Sequence, residues 1–151
     1  MARHALSKKD LRNLHDKLKK NNLWSEFLEN SIIEVEEHKG RKCYSVGGRH
    51  IAFEEKEFIP SLELLNAIKP NVRYFVVDKG AVPHILNGAK LFGKGISEIG
   101  EGVREGELVY IKDQTGQFIA VGRSTKNSEE LKQSKEGQAA EIVLIPGKNP
   151  C

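Results

Sequence analysis

Cysteine is nearly absent from this chain: Cys43 and Cys151 are its only two in 151 residues. A pair so far apart in sequence does not suggest a disulfide framework. Both are expected as thiols in a reducing compartment, with the cytoplasm as the default. Cys43 reads as a small core residue of a strand, and Cys151 as incidental. Also missing is any apolar run near the roughly 20 residues that a membrane span needs. The opening Met1-Ala2-Arg3-His4 lacks the apolar centre of a secretory signal. No internal repeat and no low-complexity stretch is present. Metal-ligand spacing is poor, because His38, Cys43 and His50 are strung out where zinc sites pair their ligands closely. No cofactor is expected. A Cys43–His50 nucleophile pair and catalytic carboxylates among Glu54, Glu55 and Glu57 stay open, although acids at a strand exit read first as solvated charge.

What is present is an ordinary globular composition, 38% apolar and 30% charged, in a chain long enough for one domain or two small ones. The net charge of +3 and pI near 8.8 are too mild to name a partner, but the distribution of charge is uneven. Residues 1–20 hold seven Lys or Arg against two Asp. From Lys79 to Ser97 there are three lysines and a histidine, and no carboxylate. Acids gather elsewhere, at Glu34, Glu36, Glu37, Glu54, Glu55 and Glu57. Two positive patches on a nearly neutral body suit a polyanion; merely solvated charged faces are the plain alternative.

The spacing predicts a helix over 7–20, capped by Ser7 and with Leu11, Leu14 and Leu18 on one stripe under a basic face. Leu23 to Glu29 is expected to form a further helical turn with Trp24, Phe27 and Leu28 inward. Ile33 and Val35 alternate with polar residues up to a His-Lys-Gly-Arg turn, which predicts a β-hairpin. Leu62, Leu65 and Ile68 restore helical spacing until Pro70 stops it. A domain boundary is expected there, giving domains 1–70 and 71–151. Beyond it, Arg73–Asp78 reads as a strand, Val82–Asn87 as a short helix with Pro83 in its first turn, and Leu108–Ile111, Phe118–Val121 and Ala139–Pro146 as strands. Many short strands with Gly turns predict a small closed barrel.

The stretch VVDKGAVPHILNGAKLFGKGI, residues 76–96, carries the functional signal. Gly88 to Lys94 matches the G-x-x-x-x-G-K of a phosphate-binding loop, but Gly95 stands where Ser or Thr must ligate Mg²⁺. The segment also follows a helix instead of leading into one, so nucleotide hydrolysis is not expected. RNA binding without chemistry fits better. Gly80, Gly88, Gly93 and Gly95 let a sugar-phosphate chain approach the backbone. Lys79, Lys90 and Lys94 supply charge, and His84 or Phe92 can stack on an unpaired base. The same Gly-Ala pairs also serve tight turns, and both readings hold together.

The order Val76-Val77-Asp78, Gly80-Ala81, Gly88-Ala89, Gly95-Ile96, Gly106-Glu107-Leu108-Val109, Ile119-Ala120-Val121-Gly122 and Gly137-Gln138-Ala139-Ala140 resembles the PUA domain. The likeness covers about residues 72–147. The whole chain resembles an archaeal relative of the malignant-T-cell-amplified-sequence proteins, which act in translation reinitiation and tRNA recycling. The resemblance implies an α+β protein: a small N-terminal α/β domain followed by a C-terminal PUA-type β-pseudobarrel. It implies RNA contact by Lys79, Gly80, Ala81, His84, Asn87, Gly88, Ala89, Lys90 and the loop through Phe92, Gly93, Lys94 and Gly95, flanked by Ile145 and Pro146. Lys94 stands where relatives often have Pro, and Glu107 where Asp is common. An auxiliary patch of Lys8, Lys9, Arg12, Lys17, Lys19 and Lys20 is expected to extend the footprint or dock on the small ribosomal subunit. The expected function is non-catalytic binding of tRNA, at its acceptor end, or of ribosomal RNA. An accessory subunit for an RNA-modification enzyme and a protein adaptor using the acidic face are the alternatives.

Overall fold

A computed structural model describes residues 3–148 and 150–151. The chain divides into two compact units, Met1–Asn71 with Pro150–Cys151, and Val72–Asn149.

The first unit is an antiparallel meander with helices against it. Its elements are β1 (His4–Ala5), α1 (Lys8–Lys20), α2 (Glu26–Glu29), β2 (Ile33–His38), β3 (Arg41–Val46), β4 (Arg49–Glu54), β5 (Phe58–Pro60) and α3 (Leu62–Ile68), and the strands lie in sequence order. Ser7 caps α1 by accepting the Asp10 N–H at 3.2 Å, which satisfies one of the orphan donors of the first turn. Leu14 and Leu18 bury the apolar stripe. Lys17, Lys19 and Lys20 occupy the last turn, where the helix dipole favours cations. The Ser61 hydroxyl does double duty at the start of α3: it accepts from the Leu64 N–H at 3.0 Å and donates to the His50 carbonyl at 2.8 Å, tying the helix to β4.

Two expectations about this unit are corrected. Phe27 is 45% exposed while its neighbour Leu28 is buried, because a single helical turn offers only one inward face. Cys43 and Cys151 are joined in a disulfide. Their separation of 108 residues is no guide to distance once Pro150–Cys151 lies within the first unit, and their Cα atoms are 6.1 Å apart, within bonding range. The Arg41 guanidinium, on the same strand as Cys43, donates to the Pro150 carbonyl at 2.8 Å.

Tyr44 on β3 is buried and donates to the Glu54 carboxylate at 3.3 Å, whose other oxygen pairs with Lys17 Nζ at 2.5 Å. Burial first, then the Glu54 charge, pushes the phenol above its usual value of 10. The folded chain keeps a proton that the unfolded chain releases near pH 10. This stabilisation is therefore complete below that pH and is lost as the pH climbs above it. Urea midpoints at about pH 8 and about pH 11 are expected to fall further in the native chain than in Tyr44→Phe; identical falls would remove Tyr44 from the alkaline transition.

The second unit is a β-pseudobarrel. Its elements are β6 (Tyr74–Val77), α4 (Val82–Leu86), β7 (Leu91–Phe92), a 3₁₀ turn (Gly93–Gly95), β8 (Ile96–Ile99), β9 (Leu108–Lys112), β10 (Phe118–Ser124), α5 (Ser128–Gln133) and β11 (Gln138–Leu144). The strand order is β7-β11-β10-β9-β6-β8, and β6 and β9 are parallel. Phe75, Val77, Leu91, Ile96, Val109, Ile111 and Ala120 fill the interior, closed from outside by Ile85 of α4 and Leu131 of α5. The buried Ser128 hydroxyl at the head of α5 donates to the Gly100 carbonyl at 2.7 Å and accepts from the Val103 N–H at 2.9 Å. Both the donor and an acceptor site of that buried hydroxyl are thereby used, as burial demands.

Candidate nucleic-acid interface

Residues 78–96 make one excursion from the pseudobarrel and return to it. Val77 is buried at the end of β6, and the next residue, Asp78, donates its N–H to the Gly95 carbonyl at 2.8 Å. The two ends of the excursion are thus pinned together. Between them, α4 starts with Pro83 in its first turn and plants Ile85 in the core. The helix stops in a Schellman motif: the Ala89 N–H reaches the His84 carbonyl at 3.0 Å and the Gly88 N–H the Ile85 carbonyl at 2.8 Å. Gly88 has φ +80°, which an L side chain resists. β7 then buries Leu91 and turns Phe92 outward, 57% exposed.

The product is a cleft of about 370 Å³ between α4 and β7. Ala81, Ile85, Ala89, Leu91 and Gly95 form its walls, Phe92 its rim, and His84 and Lys90 are its polar members. Among the described residues that line it there is no carboxylate, hydroxyl or thiol. The small side chains at 81, 89 and 95 leave it open; a Cβ on Gly95 would stand 3.1 Å from the Ala81 methyl. Flat apolar walls with an exposed aromatic suit the face of a nucleobase, and lysines at the margin suit its phosphate.

Of the residues singled out in the sequence, Ala81, His84, Ala89, Lys90, Phe92 and Gly95 line this cleft. Lys79, Gly80, Asn87, Gly88 and Lys94 are exposed and do not line it, and Gly93 is buried. Ile145 belongs to the core cluster, whereas Pro146 is exposed; neither lines the cleft. Ile85 and Leu91, which also line it, carried no functional signal in the sequence, because apolar residues in a short helix and a short strand read only as core. Glu107 pairs with Arg73 at 2.8 Å, and Lys94 sits within the 3₁₀ turn. In the first unit, Lys8, Lys9, Arg12, Lys19 and Lys20 are exposed on α1, with Lys19 Nζ 4.8 Å above the Trp24 ring, while Lys17 is engaged by Glu54. A second depression of the pseudobarrel, beside Tyr74 and Lys112, has its charges already spent. Tyr74 donates to Glu98, and Lys112 Nζ rests 4.2 Å from the Tyr74 ring. Among the described residues, no cluster of three His, Cys, Asp or Glu is arranged to hold a metal.

Residues 73–145 match the PUA domain, and residues 2–67 match a domain of unknown function (DUF1947). The chain is 30% identical to an uncharacterised protein of Methanocaldococcus jannaschii, over 96% of this chain and 92% of that one. A solved structure of a conserved PUA domain protein from Thermoplasma acidophilum shares 33% identity, with a TM-score of 0.90 over 98% of this chain and 96% of its own. Translation machinery-associated protein 20 of Saccharomyces cerevisiae is 29% identical over 110 residues, 68% of this chain and 61% of that protein. Similarity that runs through both units, and not only through the pseudobarrel, shows that the chain belongs to the family of PUA-domain proteins that carry the DUF1947 domain ahead of the PUA domain.

Proposed function

We propose that this protein binds the unpaired acceptor end of tRNA, or a comparable single-stranded end of ribosomal RNA, and acts without catalysis in translation initiation or recycling. The observation that carries the reading is the cleft between α4 and β7, apolar on its walls and free of acids, with Phe92 exposed at its rim. One base stacks against Phe92 while Lys90 and Lys94 meet the adjoining phosphates. His84 is the side chain in the lining able both to stack and to hydrogen-bond. The described lining offers no hydroxyl, thiol or carboxylate, and its two polar members, His84 and Lys90, take binding roles in this reading. The likeness to a translation machinery-associated protein of yeast supports the translation setting and, with it, a cytoplasmic location; the Cys43–Cys151 disulfide removes cysteine usage as an argument for that compartment. No helix of the described residues is long and apolar enough to cross a membrane. The exposed cations of α1 provide a second phosphate-binding surface, for the same RNA or for the small ribosomal subunit.

The test is binding of purified tRNA, with and without its 3′-terminal CCA, at two salt concentrations. Tight, salt-sensitive binding that weakens on removal of CCA is expected. Equal binding of both forms would overturn the acceptor-end assignment, and no binding at either salt would overturn RNA binding by the isolated protein. Recovery with small ribosomal subunits, and not with an RNA-modification enzyme, is expected from cell extract.

A further inference from the structure

The turn that carries Lys94, and that follows directly on Phe92, closes on itself by a single bond, from the Ile96 N–H to the Gly93 carbonyl, and is held at Gly95 by the Asp78 N–H; the rest of its support comes from elsewhere in the chain. Its backbone leans on the segment 134–138, which joins α5 to β11. The Gly93 N–H donates to the Gly137 carbonyl at 2.9 Å, and Phe92 lies opposite Gln138 in the β7–β11 ladder. Gly93 approaches the same segment so closely that a Cβ there would stand 2.3 Å from the Lys135 carbonyl oxygen. The third prop is a side chain. Lys135 Nζ donates to the Ile96 carbonyl at 2.8 Å in a partly buried bond, at the point where the β6–β8 register shifts and the ladder is irregular.

The supporting segment is fixed from its other side. Ser134 closes α5 through its N–H to the Glu130 carbonyl at 3.0 Å. Lys126 Nζ donates to the Glu136 carbonyl, and the Thr125 hydroxyl to the Gln138 carbonyl at 2.8 Å. Lys135 therefore reaches from a braced platform to the far end of the candidate loop. Its ammonium is directed at a backbone carbonyl and not at the cleft, which it does not line.

We infer that Lys135 is a positioning residue for the RNA-binding loop: it holds the 92–96 turn in the shape that presents Phe92 and Lys94, and does not itself meet the RNA. The inference rests on the RNA-binding reading of the cleft. A cation that neutralises a phosphate contributes about 0.7 to the salt slope on a single strand, whereas one spent on a carbonyl contributes nothing. Lys135→Met removes the prop and keeps the alkyl stem, and Lys135→Arg restores a charged donor.

The experiment measures tRNA affinity against salt for the native chain, K135M, K135R and a Lys90→Glu/Lys94→Glu control. It also measures amide hydrogen exchange of residues 93–96 without RNA. K135M is expected to bind about tenfold more weakly with an unchanged slope, to exchange faster at 93–96, and to be rescued by K135R. A K135M affinity equal to native, with the control weakened, would overturn the inference and leave the RNA reading intact. A slope lowered by about 0.7 would also overturn it, because Lys135 would then be a phosphate ligand. If neither the native chain nor any variant binds RNA, the RNA reading fails by itself. Exchange at 93–96 then decides whether Lys135 holds the turn: faster in K135M and restored in K135R supports it, and unchanged exchange overturns it.

Discussion

Breaking the Cys43–Cys151 disulfide is expected to lower the stability of the first unit by about 2–4 kcal/mol. The bond spans 108 residues, and closing a loop of roughly 100 residues removes about 4.7 kcal/mol of chain entropy from an unfolded ensemble. That figure is an upper bound. The loop encloses all of Val72–Asn149, and a second unit that stays folded while the first unfolds already holds much of that chain in place. Cys151→Ser is the variant of choice, because it removes the cross-link at an exposed position and leaves the Cys43 side chain in its buried site. The chain contains a single tryptophan, Trp24 in the first unit, so its fluorescence isolates that unit's transition. The urea midpoint read by Trp24 should drop in Cys151→Ser, and equally in the native chain with a dithiol reductant. A midpoint indifferent to both would show that the bond contributes nothing in solution.

Sequence reasoning was most informative where a feature is local. The Ser7 cap, the Leu14 and Leu18 stripe and the turn after His38 each depend on residues within one or two turns of chain, and each leaves a readable period. The candidate cleft was legible for the same reason, since Ala81, His84, Ala89, Lys90, Phe92 and Gly95 all come from one 15-residue stretch. What stayed hidden acts across distance. Lys135 looks like any solvated lysine within Gln133-Ser134-Lys135-Glu136, yet it completes a loop 39 residues earlier. The disulfide bridges 108 residues, and sequence spacing argued against it. Phe27 was assigned inward by hydrophobicity alone, although the one inward face of that single turn is taken by Leu28. In each case the deciding quantity was a through-space approach to which no local pattern corresponds.

Reversing both loop lysines, Lys90→Glu with Lys94→Glu, is expected to weaken tRNA binding at least about 25-fold at 0.1 M salt. Each phosphate neutralised on a single strand adds about 0.7 to the slope of log affinity against log salt, so two lost contacts are worth about 1.4 decades at a concentration one decade below 1 M. The introduced carboxylates then repel the backbone in a stretch that has no acid of its own from Lys79 to Ser97, which adds to the loss. Both side chains are exposed, and neither has an ion-pair partner among the described residues. Folding stability should therefore stay within about 0.5 kcal/mol of native, and weakened binding can be charged to the interface. The salt slope separates the possible sites. A slope lower by 1.4 or more places both phosphates at the loop, whereas an unchanged slope and affinity would transfer the electrostatic contact to the exposed cations of α1. The same titration on Lys8→Glu with Arg12→Glu completes the division: if RNA is held at the cleft alone, that second pair leaves the slope untouched; if the two surfaces share one RNA, both pairs lower it and the decrements add.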